Sequence, residues 1–142
     1  MSRERKITRH TIESAAPKTF FFLGVVSAEP DYRLSVMINR HLGTDLRKCP
    51  EDIIIETATG TRNFSRFSPE NRAFALVSNR SGGSVFLKKL KNIDYLLVPA
   101  QQDDVKTAEQ FAASLRIIPE ITAVFILDSR ETTDRNIALL AQ

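Results

Sequence analysis

The sequence contains no tryptophan, one cysteine and two histidines among 142 residues. A single thiol, Cys49, excludes an intrachain disulfide scaffold and a cysteine-based metal cluster. His10 and His41 are far apart and have no cysteine companions, so no histidine-based metal site is predicted. The phosphate-binding patterns G-x-x-x-x-G-K-[ST] and G-x-G-x-x-G are absent as well. Because no nucleophile–base set can be named either, we predict no catalytic residue, no metal and no cofactor.

Long hydrophobic runs are also missing. The longest, residues 20–26, has seven residues, whereas a membrane-spanning helix needs about 20. Basic residues before this run and Val26-Ser27-Ala28 after it imitate a secretory signal. However, the polar stretch in front is 19 residues long and the run is at the short limit for a signal, so a buried strand is favoured. With one thiol as a further indication of a reducing compartment, we expect a cytoplasmic protein without a membrane partner.

The net charge of +3 is small and unevenly distributed. Residues 1–10 hold four basic residues and one acidic residue, which accounts for the whole net charge. Residues 62–91 hold seven basic residues and only Glu70, a net charge of +6, whereas residues 92–142 hold four basic and eight acidic residues, a net charge of −4. The body of the protein is therefore neutral but polarised, which favours association with a partner or between copies.

A composition of 42% hydrophobic and 26% charged residues is typical of a globular domain with its own core. We predict a polar, basic lead-in over residues 1–16, partly disordered or a weak edge strand, and a single domain over residues 17–142. The predicted strands are residues 18–28, 53–55, 63–67, 72–78, 92–99 and 121–127. The last two are apolar on both faces and are expected to be buried on both.

Two predicted helices have apolar stripes and recognisable ends. The first follows Pro30 and has Asp31 as its N-cap and Gly43 at its left-handed end. The second starts at Asp103 or Asp104, carries five apolar residues at helical spacing and ends before Pro119. A short third helix is predicted over residues 134–141.

The resulting order, β-α-β-β-β-β-α-β-α, predicts an α+β fold with a mixed, mostly antiparallel sheet and packed helices. Residues 68–71, with Pro69 in the second position, predict a type I turn between two strands of a hairpin. Residues 92–127 predict a right-handed parallel crossover. Residues 81–84, Ser-Gly-Gly-Ser, predict a flexible loop, with an anion cradle as the alternative.

Ile118-Pro119-Glu120, followed by Ala123-Val124-Phe125 and an apolar finish, resembles the IPExxVDY family of small uncharacterised bacterial proteins. Residues 31–34 with Asn39-Arg40, residues 76–80 and residues 91–96 are similar to that family's pattern, so the likeness covers roughly residues 18–128. The sequence departs from the family where Ala123-Val124-Phe125 replaces an ending of the Val-Asp-Tyr type. The resemblance implies one intact domain and carries no activity, cofactor or catalytic residue.

The basic middle of the chain is the strongest candidate surface. Arg62, Phe64 and Arg66 alternate, so on one strand they share a face. In the first interpretation, this face binds nucleic acid, with Phe64 stacking on bases and the arginines contacting phosphates. In the competing interpretation, Phe64 packs inward and the basic side chains pair with the acidic C-terminal third. The candidate binding residues of this segment are Arg62, Arg66, Arg80, Lys88, Lys89 and Lys91.

Three further candidates, Asp31, Arg33 and Arg40, lie in the first predicted helix. Arg33 and Arg40 are seven residues apart and share a helix face, where they bind a partner or support neighbouring loops. His41 is interpreted as a residue favoured by the helix dipole, and the Asp103-Asp104 pair as a helix cap.

Together these patterns predict a noncatalytic interaction or structural module whose partner is another protein or a second copy in a homodimer. The alternative is a nucleic-acid or acidic-ligand binder that uses residues 62–91. An enzyme whose catalytic residues are scattered along the sequence is the third hypothesis, because such residues form no local motif.

Overall fold

A six-stranded antiparallel sheet runs through the centre of the protein. The computed structural model describes residues 19–101 and 104–140. Its strands are β1 (Phe21–Val26), β2 (Arg47–Lys48), β3 (Ile53–Thr57), β4 (Gly60–Phe64), β5 (Arg66–Ser68), β6 (Phe74–Ser78), β7 (Arg80–Ser81), β8 (Ser84–Val85), β9 (Tyr95–Pro99) and β10 (Ala123–Asp128). The α-helices are α1 (Asp31–Leu42), α2 (Val105–Arg116) and α3 (Ile137–Leu140), and single 3₁₀ turns cover Lys88–Leu90 and Ser129–Glu131.

The strand order of the central sheet is β10-β1-β9-β6-β5-β2, while β3–β4 and β7–β8 form separate hairpins. Each neighbouring pair in the sheet is antiparallel. The crossover through α2 therefore joins two strands, β9 and β10, that run in the same direction with β1 between them. The predicted α+β class with a mostly antiparallel sheet is confirmed. The predicted lead-in over residues 1–16 lies outside the described residues.

Each face of the sheet has its own cover and its own core. On the helix face, α1 and α2 pack on the sheet through buried residues such as Leu34, Ile38 and Leu115. On the opposite face, here called the hairpin face, the cover comprises β3–β4, residues 80–94 and α3, with Phe64 and Phe86 in its core. Coverage on both faces explains why β9 is buried at each of its five positions.

The end of α1 and both ends of α2 follow the sequence signals, since α2 stops at Arg116, before Pro119. Gly43 ends α1 in the left-handed conformation (φ 66°), and the side chain of Asp104 caps α2 by accepting a hydrogen bond from the Lys106 N–H (2.9 Å). The prediction for Asp31 is wrong, because Pro30 is the N-cap and Asp31 is the first residue of α1. The Asp31 carboxylate instead accepts a hydrogen bond from the Ser65 hydroxyl (2.7 Å), which ties α1 to the sheet.

The predicted hairpin of residues 63–67 and 72–78 is present in modified form. The first strand divides at Ser65, so that Phe64 ends β4 and Arg66 begins β5. The turn lies one residue later than predicted, because the Arg72 N–H donates to the Pro69 carbonyl (3.0 Å) and Pro69 occupies the first turn position. Arg72 has a positive φ of 56°, a conformation that side chains other than glycine, asparagine and aspartate rarely adopt.

Residues 80–94 connect β6 to β9, and we call them the 80–94 connection. The Asn79 side chain bonds to both halves of this connection and holds them together. The Asn79 side chain is fully buried. Its Nδ2 donates to the carbonyls of Leu90 (2.9 Å) and Ile93 (2.8 Å), and its Oδ1 accepts from the Leu87 N–H (2.9 Å). Within the 80–94 connection, residues 81–84 form the turn of the β7–β8 hairpin, with Gly82 at φ 59°. The loop predicted here is therefore a tight hairpin turn.

β10 lies at one edge of the sheet. The prediction that this strand is buried on both faces is wrong, because Phe125 is 50% exposed. The third helix is also shorter than predicted, since α3 covers Ile137–Leu140, and residue 141 lies outside the described part of the chain. In the described ranges, no helix has both the length and the apolar character that crossing a membrane requires.

Candidate functional site

The predicted binding residues divide between the two faces of the sheet. Arg62 in β4, Arg80 in β7 and the lysines at positions 88, 89 and 91 belong to the cover of the hairpin face, whereas Arg33 and Arg40 lie on α1. Phe64 is only 1% exposed, and its ring centroid lies 5.3 Å from that of Phe86. The competing interpretation of Phe64 is therefore correct, and this ring cannot stack on a nucleic-acid base.

Several of these basic side chains make contacts within the fold. The Arg62 Nε donates to the Ser84 hydroxyl (2.9 Å), and the Arg80 Nε forms an ion pair with Asp94 (2.8 Å). The Lys89 ammonium donates to the Thr133 hydroxyl. The expected pairing of the basic segment with the acidic C-terminal third is thus present at Arg80 and Asp94, while Arg62 and Lys89 are held by neutral oxygens.

A polar cluster surrounds the hydroxyl of Tyr95, at the start of β9. This hydroxyl donates to the Glu29 carbonyl (2.5 Å). Burial raises the pKa of Tyr95 well above its ordinary value, and the nearby carboxylates of Asp31, Asp94 and Glu29 raise it further.

The predicted residues Asp31, Arg33 and Arg80 meet at this cluster. Arg33 forms an ion pair with Glu29 (3.0 Å) one helical turn away, and Arg80 forms its ion pair with Asp94. Both arginines are about half exposed, so each pair adds little stability. The contacts of all three residues are within the protein, which indicates a structural role at this end of the sheet. Arg40 is exposed on α1 and is not brought to the cluster.

A cleft of about 280 Å³ opens on the hairpin face, where β5, β6 and β9 meet β3 and α3. We call it the Arg66 cleft. Arg66 and Ser68 alternate with the buried Phe67 on β5, so both side chains point to the hairpin face. Apolar side chains, including Val77 and Leu139, form most of the remaining lining. This cleft combines residues distant in sequence, from Ile53 to Leu140.

The charge in the Arg66 cleft is of one sign. Two arginines, Arg66 and Arg72, line it, and no acidic side chain does. Glu70, two residues from Arg72, is directed to Arg47 instead (3.7 Å). Neither guanidinium has a carboxylate partner within residues 19–101 and 104–140. The cleft is therefore lined by two arginines beside an apolar wall.

The outer side of β10 is the second unusual surface, here called the β10 edge (Ala123–Asp128). The Ser129 N–H donates to the Phe20 carbonyl (2.9 Å), and in an antiparallel ladder this places the backbone groups of Val124, Ile126 and Asp128 on the side away from β1. In the described part of the chain, no strand pairs with that side.

Charged groups lie at both ends of the β10 edge. The Arg116 guanidinium, from α2, donates to the outward carbonyl of Val124 (2.8 Å). At the other end, the Asp128 carboxylate is bonded to Arg130 (2.9 Å). Hydrogen bonds from the Arg130 side chain and N–H lower the pKa of Asp128. The carboxylate is therefore ionised at neutral pH, so one end of the edge carries the Arg116 guanidinium and the other carries the Asp128–Arg130 ion pair.

The remaining sequence candidates have structural contacts. The His41 Nδ1 lies 3.0 Å from the Met37 carbonyl in the last turn of α1. The Cys49 Sγ lies 3.6 Å from the Ser68 hydroxyl. Among the described residues, no three histidine, cysteine, aspartate or glutamate side chains are grouped so that they could hold a metal ion.

Sequence reasoning missed Arg72 and Arg116 as site residues, and Asn79 as a structural centre. Arg72 was noted only as part of the basic segment, and its positive φ had no sequence signal because an arginine occupies the position. Arg116 acts on β10 through a contact that only the packing of α2 creates.

Comparison with known proteins gave no match to a family model, to a curated protein or to a solved structure.

Proposed function

We propose that this protein is a noncatalytic interaction module, and that its partner is a second copy of itself bound at the β10 edge. One observation supports this most directly: β10 is an edge strand whose outer side pairs with no other described strand, and it has the apolar sequence Ala-Val-Phe-Ile-Leu with a half-exposed Phe125. Soluble proteins usually protect such an edge with lysine, proline or a bulge. The opposite edge follows that rule, since β2 is two residues long and consists of Arg47 and Lys48.

The register of the proposed dimer follows from the outward backbone groups. A two-fold axis at Ile126 pairs this residue with its own copy and pairs Val124 of each protomer with Asp128 of the other. The same register places Phe125 beside Leu127 of the second copy on the hairpin face. Pairing of two edges supplies backbone hydrogen bonds, while the side chains set the register.

Charge complementarity favours this register. Val124, Ile126 and Asp128 alternate onto the helix face of β10, where Arg116 holds the Val124 carbonyl. Across the proposed axis, the Arg116 guanidinium of one protomer therefore faces the Asp128 carboxylate of the other. The two-fold symmetry repeats this contact, so one dimer has two such pairs.

Sedimentation equilibrium over a concentration series tests the proposal. The wild-type chain should show a monomer–dimer equilibrium, and Phe125→Lys should weaken it at least about tenfold, equivalent to about 1.4 kcal/mol. Ile54→Lys is the matched control, because Ile54 is 60% exposed on β3, away from the edge. A strictly monomeric wild-type protein up to about 1 mM, or equal weakening by both variants, overturns the proposal.

A charge exchange tests the register separately. Arg116→Glu and Asp128→Arg should each weaken the dimer, since each places like charges opposite one another. The double variant should regain much of the lost affinity. A double variant as weak as the sum of the single variants shows that these residues do not face one another. Pairing of the β10 edge with residues 1–18 of the same chain would give a monomer and would also overturn the proposal.

Nucleic-acid binding through residues 62–91 is the second candidate. It is supported by the exposed lysines at positions 88, 89 and 91, which follow one another in and after a single 3₁₀ turn. With Phe64 buried, such binding would depend on phosphate contacts alone and should weaken steeply with salt. Fluorescence anisotropy with a labelled oligonucleotide tests it: no binding at low salt, or equal binding by the triple lysine-to-glutamine variant, refutes it.

We further propose that the chain is related to the IPExxVDY family and is cytoplasmic. The family proposal is supported by the quoted residues, of which Ile118 and Ile121 are buried at the end of α2 and before β10. The structure of a family member should then show the motif leading into an edge strand paired with the first strand. The cytoplasmic proposal is tested by the intact mass of the native protein, since a chain that starts at Glu29 would contradict it.

A further inference from the structure

We propose that the Arg66 cleft is a binding site for a small amphipathic anion, a molecule with one carboxylate or phosphate group on a short apolar body. This site is independent of the proposed dimer, because it lies on β5, β6 and β9, with β9 and β1 between β6 and the β10 edge. No part of the noncatalytic module proposed above requires it.

The head group follows from the two arginines, which have no carboxylate partner in the part of the chain that the structure describes. A guanidinium offers parallel N–H donors that match the two oxygens of a carboxylate or phosphate. Arg66 and Arg72 both line this cleft, one from β5 and one from the turn before β6, so two such side chains are available to one ligand. The Ser68 hydroxyl, also in the lining, adds a neutral donor.

The body of the ligand follows from the walls and the volume. Ile53, Val98 and Leu139 are among the apolar side chains that line the cleft. A volume of about 280 Å³ lies at the small end of the range of about 300–1,000 Å³ that is usual for small-molecule pockets. A short aliphatic chain with a single anionic group suits this size.

The backbone at Arg72 is a separate observation that points to the same use. Arg72 is the one residue other than glycine with a positive φ in the described ranges. Glycine would adopt this conformation without strain, so the arginine side chain is present at a cost in stability. Residues held in such strained conformations cluster at ligand-binding positions. There the side chain is retained for its contact with the ligand, although glycine would suit the turn better.

Calorimetric titration with four probes tests the site. Hexanoate and butyl phosphate both have an anionic group on an apolar chain, hexanol has the chain alone, and inorganic phosphate has the anion alone. Hexanoate, butyl phosphate or both should bind at least about tenfold more tightly than hexanol and inorganic phosphate. Which of the two binds more tightly identifies carboxylate or phosphate as the natural head group. Equal affinity for hexanol and the anions, or no binding of any probe at millimolar concentration, overturns the proposal.

Two variants locate the binding. Arg66→Gln and Arg72→Gly should each lower the affinity about tenfold, whereas Arg40→Gln, which removes the same charge from α1, should leave it unchanged. Arg72→Gly should also melt no lower than the wild-type protein, because glycine relieves the strained φ. A loss of binding together with retained stability separates ligand contact from folding. Unchanged affinity in both cleft variants places the binding elsewhere and overturns the assignment.

Discussion

Replacing Asn79 with alanine should cause a large loss of stability, although the residue lies in no helix or strand. The variant removes three side-chain hydrogen bonds, those to Leu87, Leu90 and Ile93, from a fully buried position. At about 1 kcal/mol each, their loss amounts to about 3 kcal/mol. For a chain of this size, the melting temperature should fall by about 10 °C.

Far-UV circular dichroism during urea unfolding measures the loss, and it suits a chain that has no tryptophan for fluorescence. The control is Asn63→Ala, since Asn63 is exposed on β4 and its replacement should change stability by no more than about 0.5 kcal/mol. Both variants remove the same amide group, so the difference between them isolates the effect of burial and hydrogen bonding.

Hydrogen exchange locates the effect within the molecule. The Leu87 N–H donates to the Asn79 side chain, whereas the neighbouring Phe86 N–H donates to the Asn79 backbone carbonyl (2.8 Å). In Asn79→Ala the Leu87 amide should therefore lose more protection than the Phe86 amide. A loss of stability below about 1 kcal/mol, or equal changes at the two amides, would show that the Asn79 side chain does not hold residues 80–94 in place.

Two further predictions concern β1 and β9. Of the two tyrosines, Tyr95 should ionise only above the ordinary phenol pKa of about 10, because burial and then the surrounding carboxylates raise its pKa. The raised pKa means that its contribution to stability is complete below about pH 10 and is lost as the pH rises further. Ultraviolet titration of the Tyr95 phenol checks this, and ionisation of Tyr95 at the ordinary phenol pKa in the folded protein would refute it. Gly24→Ala should cost about 1–2 kcal/mol, because its Cβ would lie 3.0 Å from the Ile93 and Leu127 Cδ1 atoms; in thermal melts the control, Gly83→Ala, should be nearly neutral, since a Cβ there meets nothing within 4 Å.

Local signals were sufficient to place the two longer helices. In α1 and α2 the apolar spacing, Gly43 and Asp104 are features of a few consecutive residues, so the sequence contains them directly. The same reasoning placed five of the six strands of the central sheet, with β2 unpredicted. It gave the wrong burial for β10, because an apolar strand has the same sequence pattern in the middle of a sheet and at its edge. The pairing order places β10 at the edge, where Phe125 is 50% exposed and is not part of the core of the hairpin face.

The candidate sites depend on contacts across long distances in sequence. The Arg66 cleft requires Ile53, Arg66 and Leu139 to meet, and no local pattern specifies that meeting. Asn79 lies just beyond the predicted strand of residues 72–78 and has no predicted role, because the hydrogen bonds of an asparagine side chain are decided by what surrounds it. The basic segment was identified correctly as a stretch of charge, but the direction of Phe64 depended on whether the hairpin face is covered.

The position of β1 between β9 and β10 has a consequence for the synthesis of this chain. Of the strands that the structure describes, β1 is the first that the ribosome releases, yet its two neighbours end at Pro99 and Asp128. The apolar residues 20–26 therefore remain without a strand partner while about 70 further residues are synthesised, at about 5–20 residues per second. For several seconds a nascent chain exposes a strand that is hidden in the finished protein. We expect holding chaperones to bind this segment on ribosomes stalled before β9, and to release it once β10 has emerged.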